Sequence, residues 1–221
     1  MSVDVKTEPR VAELLVRYPS LAPIEGDISR ACSLLIAAFR GGKKLLVCGN
    51  GGSAADADHI VGELMKGFVS RRPLPQSLRD RLAAVDAEMG GRLALSLQVG
   101  LPAIALTQHA ALSSAFANDV DPLLIYAQQV LGYGVEGDIF LGISTSGNAR
   151  NVLHAAVVAR ALGLKVICLT GQGGGALAKQ ADVLLAAPER ETYKVQELHL
   201  PIYHVLCLAA EDAFFPAATV L

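Results

Sequence analysis

The chain has no tryptophan, few other aromatic residues and no excess of charge of either sign. Its 19 lysines and arginines are scattered among 21 aspartates and glutamates, which gives a formal net charge of −2. A protein that binds nucleic acid needs a concentrated positive surface to neutralise phosphates. We therefore expect no nucleic-acid partner.

Long apolar runs and closely spaced cysteines are also missing. No run approaches the roughly 20 apolar residues of a membrane span, and residues 1–10 are too polar for a signal peptide. Cys32, Cys48, Cys168 and Cys207 are widely separated within apolar patterns, so we expect small buried side chains and neither disulfides nor a cysteine metal site. These features predict a soluble cytoplasmic protein with no membrane partner.

The chain is instead rich in small aliphatic residues, arranged in alternating strand and helix patterns. Apolar strand-like segments occur at 44–48, 102–106, 137–143, 165–170 and 183–187. Helical periodicity occurs at 11–18, 24–39, 53–68, 112–118, 122–131, 149–162, 175–181 and 193–214. This alternation predicts an α/β fold in which helices flank both faces of a mainly parallel five-stranded sheet. The length fits a single domain spanning residues 1–221.

Residues 69–100 interrupt the alternation. They contain two amphipathic segments, 77–87 and 91–97, where an ordinary connection would be much shorter. We interpret this segment as a helical insertion that acts as a lid, as an arm between subunits, or as both.

Two loops rich in glycine and serine follow the first and third predicted strands, and each leads into a helix. The first contains Gly51, Gly52 and Ser53, and the second contains Ser144, Thr145, Ser146, Gly147 and Asn148. Backbone N–H groups at such helix starts, supplemented by hydroxyls, form an anion site. Neither loop has the spacing of a nucleotide-binding motif, so they predict a site for one phosphoryl group. The alternative is that the loops only cap their helices.

Titratable residues follow the first loop and recur in the last helix. His59 and Glu63 share one helix face, which we expect one turn beyond the phosphate site. Gln196, His199 and His204 lie in the last helix, where only one histidine can join Gln196 comfortably, and spacing does not choose between them. Such a set can bind Zn²⁺, or it can transfer protons without a metal between adjacent carbons of a sugar phosphate.

At these residues the sequence resembles the sugar isomerase (SIS) domain family, in particular the phosphoheptose isomerases. The resemblance spans nearly the whole chain. It rests on the segments Cys48–Ser53, His59–Glu63, Asn118–Asp119, Gly142–Asn148 and Gln196–His199 with the later His204.

The resemblance implies a three-layer SIS fold, a homotetramer with active sites between subunits, and a sugar phosphate substrate. It implies interconversion of sedoheptulose 7-phosphate and D-glycero-D-manno-heptose 7-phosphate, with Glu63 as base and His204 as its partner acid/base. It assigns one Zn²⁺ per subunit to His59, Glu63, Gln196 and His204. The phosphate is assigned to Ser53, Ser144, Thr145 and Ser146, and the sugar to Asn50 and Asp119.

Three positions depart from the family pattern. Ala149 replaces a serine that follows the second loop, Tyr193 replaces an acidic residue, and Gly67 replaces an arginine for which Lys66, Arg71 or Arg72 could substitute. A non-catalytic phosphosugar-binding regulator of the replication-initiator-binding type and an isomerase of another sugar phosphate are the competing functions. His204 favours an enzyme, since the initiator-binding relatives lack the catalytic histidine.

Overall fold

The computed structural model describes residues 9–215 and contains one sheet of five parallel strands in the order β2-β1-β3-β4-β5. The strands are β1 (Leu45–Cys48), β2 (Ala103–Ala105), β3 (Ile139–Ser144), β4 (Lys165–Thr170) and β5 (Val183–Ala186). The α-helices are α1 (Pro9–Arg17), α2 (Glu25–Arg40), α3 (Gly52–Met65), α4 (Gln76–Val85), α5 (Ala87–Ser96), α6 (Ala110–Asp119), α7 (Ile125–Tyr133), α8 (Arg150–Ala161) and α9 (Thr192–Phe214).

Helices cover both faces of the sheet, which makes the three-layer α/β arrangement predicted from the sequence. Alternate residues of each central strand point to opposite faces. Leu45 and Val47 pack with α1, α2, α3 and α9, whereas Leu46 and Phe140 pack with α7 and α8. Every residue of β1 and β3 is buried. The apolar runs of the central strands are thus explained by helices on both sides.

The predicted elements are confirmed, with differences at their ends. The segment 175–181 forms only a short 3₁₀ helix, Gly175–Lys179, because Gly173, Gly174 and Gly175 all adopt positive φ. A 3₁₀ turn at Pro122–Leu124 precedes α7, and another at Pro19–Ile24 joins α1 to α2. Helix α9 continues through Pro201.

The insertion forms a helical hairpin, as its two amphipathic segments predict. Helices α4 and α5 pack on each other, and the side chains of α4 are all partly or fully exposed. Asp86 separates the helices and caps α5 by accepting a hydrogen bond from the Met89 N–H. Pro73 and Gln98 form an antiparallel bridge where the hairpin joins the sheet-bearing part of the chain.

All four cysteines are buried, as predicted. Burial raises the pKa of the Cys168 thiol to about 12, which keeps it protonated and unreactive. Among residues 9–215, no helix combines the length and hydrophobicity needed to cross a bilayer.

Candidate active site

The two glycine- and serine-rich loops meet at the carboxyl ends of β1 and β3, which are neighbours in the sheet. Between them lies a cavity of about 350 Å³, here called the loop cavity. It is lined by Asn50, Gly51, Gly52, Ser53, Ile143, Ser144, Thr145, Ser146, Ala149, Thr192 and Gln196. Of the described residues that line it, none is charged, and the predicted phosphate binders all line it.

Three helices begin at the loop cavity: α3 at Gly52, α8 beside Ala149 and α9 at Thr192. None of the three has a side-chain hydrogen bond at its N-cap. Helix N-termini carry partial positive charge and N–H groups that need acceptors. The absence of side-chain caps in α3, α8 and α9 argues against the alternative that the loop serines serve only as caps. The arrangement suits an anion with several oxygen acceptors.

A reciprocal amide pair joins the first loop to the first turn of α8. Asn50 Nδ2 donates to Asn151 Oδ1, and Asn151 Nδ2 donates to Asn50 Oδ1, each over 2.9 Å. Tyr126 Oη donates to the Gly49 carbonyl over 2.6 Å from below the first loop. The sequence reasoning missed Asn151, Tyr126 and Thr192. Asn151 and Thr192 could have been identified as polar residues near the starts of the last two predicted long helices.

Gln196 closes one side of the loop cavity. Its side-chain amide packs so tightly on Gly52 that a Cβ at position 52 would overlap it. The glycine therefore leaves room for the Gln196 amide at the start of α3.

His59, Glu63 and His204 form a second group, here called the acid–base cluster. His59 Nε2 lies 3.2 Å from Glu63 Oε1, and His59 Nδ1 lies 3.0 Å from Tyr203 Oη. The His59 and His204 rings meet edge to face, with centroids 5.2 Å apart. Tyr203 Oη donates its proton to Asp56 Oδ1 over 3.3 Å. Burial raises the pKa of Asp56, which the sequence reasoning also missed.

His204 presents an unused nitrogen in this cluster. Its Nε2 is buried and has no hydrogen-bond partner among residues 9–215. Burial, followed by the nearby His59, lowers the pKa of His204, while Glu63 opposes the shift. The imidazole is therefore held in its neutral form, in which one nitrogen can accept a proton or a metal.

His199 lies apart from the acid–base cluster. It is fully buried, and its Nε2 donates to the Thr170 carbonyl over 3.2 Å. Of the two histidines that helical spacing left open, His204 lies beside His59, whereas His199 faces the sheet.

The loop cavity and the acid–base cluster lie at different ends of α3. Gly52 begins the helix, and Glu63 lies about three turns, or roughly 16 Å, along its axis. His59 and Glu63 are thus farther from the loops than the predicted single turn. His204 lines a different cavity, of about 310 Å³, with Arg17, Tyr18 and Phe68. One chain does not bring Gln196 next to Glu63.

The four residues assigned to zinc are accordingly divided between these two places. Within residues 9–215, no three histidine, cysteine, aspartate or glutamate side chains come together in a way that could hold a metal ion. His59, Glu63 and His204 nevertheless offer the nitrogen and oxygen donors that zinc prefers, and His204 Nε2 is free to bind.

The remaining sequence-assigned positions lie around these two groups. Asp119 is exposed at the end of α6, where Asn118 Nδ2 donates to it over 2.8 Å, and it does not line the loop cavity. Ala149 does line that cavity, and Tyr193 is exposed. Of the three cations considered as substitutes at Gly67, Lys66 contacts Glu63, with Nζ 2.7 Å from Oε2.

Comparison with known proteins agrees with this architecture. The SIS domain family matches residues 20–84 and 81–171, and the two matches meet inside the inserted hairpin. The phosphoheptose isomerase of Aneurinibacillus thermoaerophilus is 35% identical over 214 residues, which is 97% of this chain and 90% of that protein. The enzyme of Thermodesulfovibrio yellowstonii is 38% identical over 86% of this chain and 83% of its own.

Solved structures show the same fold. The phosphoheptose isomerase of Neisseria gonorrhoeae superimposes with a TM-score of 0.71 at 30% identity, covering 91% of this chain and 94% of that one. The enzyme of Francisella tularensis gives 0.70 at 31% identity, covering 91% and 92%. The chain therefore belongs to the SIS domain family and, within it, to the phosphoheptose isomerases.

Proposed function

We propose that this chain interconverts sedoheptulose 7-phosphate and D-glycero-D-manno-heptose 7-phosphate. The observation that carries the proposal is the loop cavity. Three helix N-termini and five hydroxyl side chains surround a space in which no described lining residue is charged, which suits a phosphate monoester. The relatives named phosphoheptose isomerase supply the identity of the sugar.

The acid–base cluster supplies the chemistry in this proposal. Glu63 removes the proton from the carbon next to the carbonyl, an enediol(ate) forms, and the proton returns to the neighbouring carbon. His204, held neutral by its surroundings, moves a proton to or from the sugar oxygens. His59 orients Glu63 through their 3.2 Å contact.

The active site is completed between subunits in this proposal. A heptose phosphate anchored in the loop cavity cannot reach Glu63 of its own chain, given the roughly 16 Å of helix between Gly52 and Glu63. A second copy must bring its acid–base cluster to the first copy's loop cavity. A homotetramer satisfies this requirement, and the buried, widely separated cysteines fit a reducing compartment such as the cytoplasm.

A zinc ion would require the same assembly of subunits, because residues 9–215 of one chain bring no three histidine, cysteine, aspartate or glutamate donors together in a way that could hold it. His59, Glu63 and His204 would hold it, and the Gln196 of the proposed set would come from a neighbouring subunit. When bound, the ion would polarise the substrate oxygens as a Lewis acid. The amide ligand predicts modest affinity.

The reaction is tested by incubating the purified protein with five- to seven-carbon ketose phosphates and resolving the aldose products. We expect turnover of sedoheptulose 7-phosphate above the others. A protein that binds sugar phosphates but converts none of them would be the non-catalytic regulator instead, and a preference for a shorter sugar would reassign the substrate.

Zinc is tested by elemental analysis before and after chelation, paired with activity. We expect bound zinc to be lost together with turnover and both to return on zinc addition. Full activity in protein shown to be free of metal would leave only the metal-independent acid–base route.

A further inference from the structure

A buried ion pair joins the end of α3 to the last helix. Arg72 and Glu211 are both fully buried, and Arg72 Nη2 lies 2.8 Å from Glu211 Oε1. Fully buried charged pairs are rare because removing two ions from water is costly. Glu211 lies seven residues beyond His204 on α9, and Arg72 follows the loop that leaves α3.

The Arg72 side chain donates hydrogen bonds to carbonyls at the C-terminus of α3. Its Nη1 donates to the Leu64 carbonyl over 2.6 Å and its Nη2 to the Glu63 carbonyl over 3.1 Å. The last carbonyls of a helix lack helical partners, and a cation there interacts favourably with the helix dipole. The guanidinium also lies 4.9 Å from the centre of the Phe215 ring.

Glu211 holds the loop between α3 and Arg72. Its carboxylate accepts the backbone N–H groups of Phe68, Val69 and Ser70 over 2.8 to 3.0 Å. Burial alone would raise the pKa of Glu211, but these three donors and Arg72 bring it below its usual value, so the group is ionised. The Phe68 ring thus fixed lies 5.3 Å from the His204 ring.

We propose that Arg72 and Glu211 are positioning residues for catalysis, acting through the backbone of Glu63 and through Phe68 against His204. The planar fork of arginine reaches two carbonyls and a carboxylate at once, which lysine cannot do. This inference rests on the proposed acid–base roles of Glu63 and His204. Neither Arg72 nor Glu211 contacts the substrate in this proposal.

The test compares Arg72→Lys and Glu211→Gln with Asp212→Asn, a control that breaks the Arg10–Asp212 ion pair at the adjacent position of α9. The purified oligomers are assayed well below their unfolding temperatures. We expect kcat to fall about 10- to 100-fold in the first two variants, since small misplacements of reacting groups have effects of this size. KM and thermal protection by inorganic phosphate should remain near wild type, because the loop cavity lies at the other end of α3. Asp212→Asn should keep its kcat.

A purely structural pair would give a different result. Lowered unfolding temperatures with normal kcat in Arg72→Lys and Glu211→Gln would overturn the inference. If either variant does not fold, Glu211→Asp, which keeps the charge and shortens its reach, provides the same comparison.

A second measurement separates this inference from the proposed function. If Arg72 acts through Glu63, adding Arg72→Lys to Glu63→Gln should lower kcat little further. An undiminished kcat in Glu63→Gln alone would contradict the acid–base assignment itself. Loss of activity in Glu63→Gln with additive loss in the double variant would contradict only the positioning role.

Discussion

Glu63 is the residue on which most of the proposed chemistry depends. One of its oxygens faces His59 and the other faces Lys66, and its carbonyl is held by Arg72. Lys66 occupies the place of the cation expected near position 67, and its side chain is 58% exposed. An exposed ion pair of this kind contributes little to stability, so its effect should be on the orientation of the carboxylate.

We expect Glu63→Gln to fold, to bind phosphate and to lose turnover. The amide keeps the shape of the side chain and removes the proton acceptor. The measurement is kcat together with thermal protection by phosphate. Protection without turnover supports the base assignment, and turnover at the wild-type rate rejects it.

The two histidines of α9 should respond differently to replacement. His204→Ala removes the unpartnered nitrogen beside His59 and should reduce kcat strongly. His199→Ala removes a bond to the Thr170 carbonyl and should mainly lower the unfolding temperature, with a smaller effect on kcat. The reverse order of kcat values would mean that the catalytic histidine is misassigned.

His199 should also make stability depend on pH. Burial lowers its pKa to about 4, from an unfolded value near 6.5. Between these values the unfolded chain binds more protons, so stability is fully present above pH 6.5 and is lost as the pH falls toward 4. The loss reaches about 3 kcal/mol. Denaturant unfolding across this range should show a shallower pH dependence in His199→Gln, and an unchanged slope would contradict the assignment.

At the scale of elements, three helices without side-chain N-caps begin at the loop cavity, and in the proposed function their N–H groups take the place of basic side chains toward phosphate. The first and third predicted strands locate the two loops because loops that follow adjacent parallel strands meet at the same sheet edge. The sequence could also identify the hydroxyls and glycines. It could not show that α9 begins at the same cavity, because that depends on how the last helix packs across Gly52.

The loop cavity should bind phosphate through hydroxyls and helix-end amides. We expect inorganic phosphate and sedoheptulose 7-phosphate to raise the unfolding temperature by mass action, while unphosphorylated sedoheptulose has little effect. Replacing Ser144 and Ser146 together by alanine should raise KM strongly and abolish this protection. Ser114→Ala, on the exposed side of α6, is the matched control. Equal protection by the two sugars would reject a phosphate site.

Helical spacing places His59 and Glu63 on one helix face but does not choose between His199 and His204, and the family resemblance supplied His204 and Gln196. Neither source shows how far apart these residues lie along α3 and α9. Residues on one face can lie several turns apart, and the parallel course of α3 and α9 places Gln196 beside Gly52 and His204 beside His59. The contacts of Arg72 and Glu211 were equally beyond sequence reasoning. Arg72 and Glu211 are 139 positions apart in the sequence, and nothing in the pattern around either residue indicates that its charge is buried.

At the scale of the whole molecule, the separation of the loop cavity from the acid–base cluster predicts complementation between chains that are impaired at different places. One chain carries Ser144→Ala and Ser146→Ala, and the other carries Glu63→Gln. If each active site combines two chains, random mixed oligomers should regain about one quarter of the wild-type sites.

The mixture is prepared by coexpression or by unfolding and refolding the two chains together, and activity at a substrate concentration below the wild-type KM is compared with that of each variant alone. Recovery near one quarter supports a shared site. Activity no greater than the average of the two separate variants would mean that each chain completes its own site, and the proposed arrangement between subunits would be wrong.

The bridge between Pro73 and Gln98 has a practical consequence for protein engineering. Because Pro73 and Gln98 are paired, the two ends of the segment 74–97 lie next to each other. A foreign domain with neighbouring termini, such as a fluorescent reporter, could replace α4 and α5 without stretching the Arg72 backbone, whose carbonyl accepts the Val99 N–H over 2.8 Å. Such a chimera would carry its reporter outside both the loop cavity and the acid–base cluster.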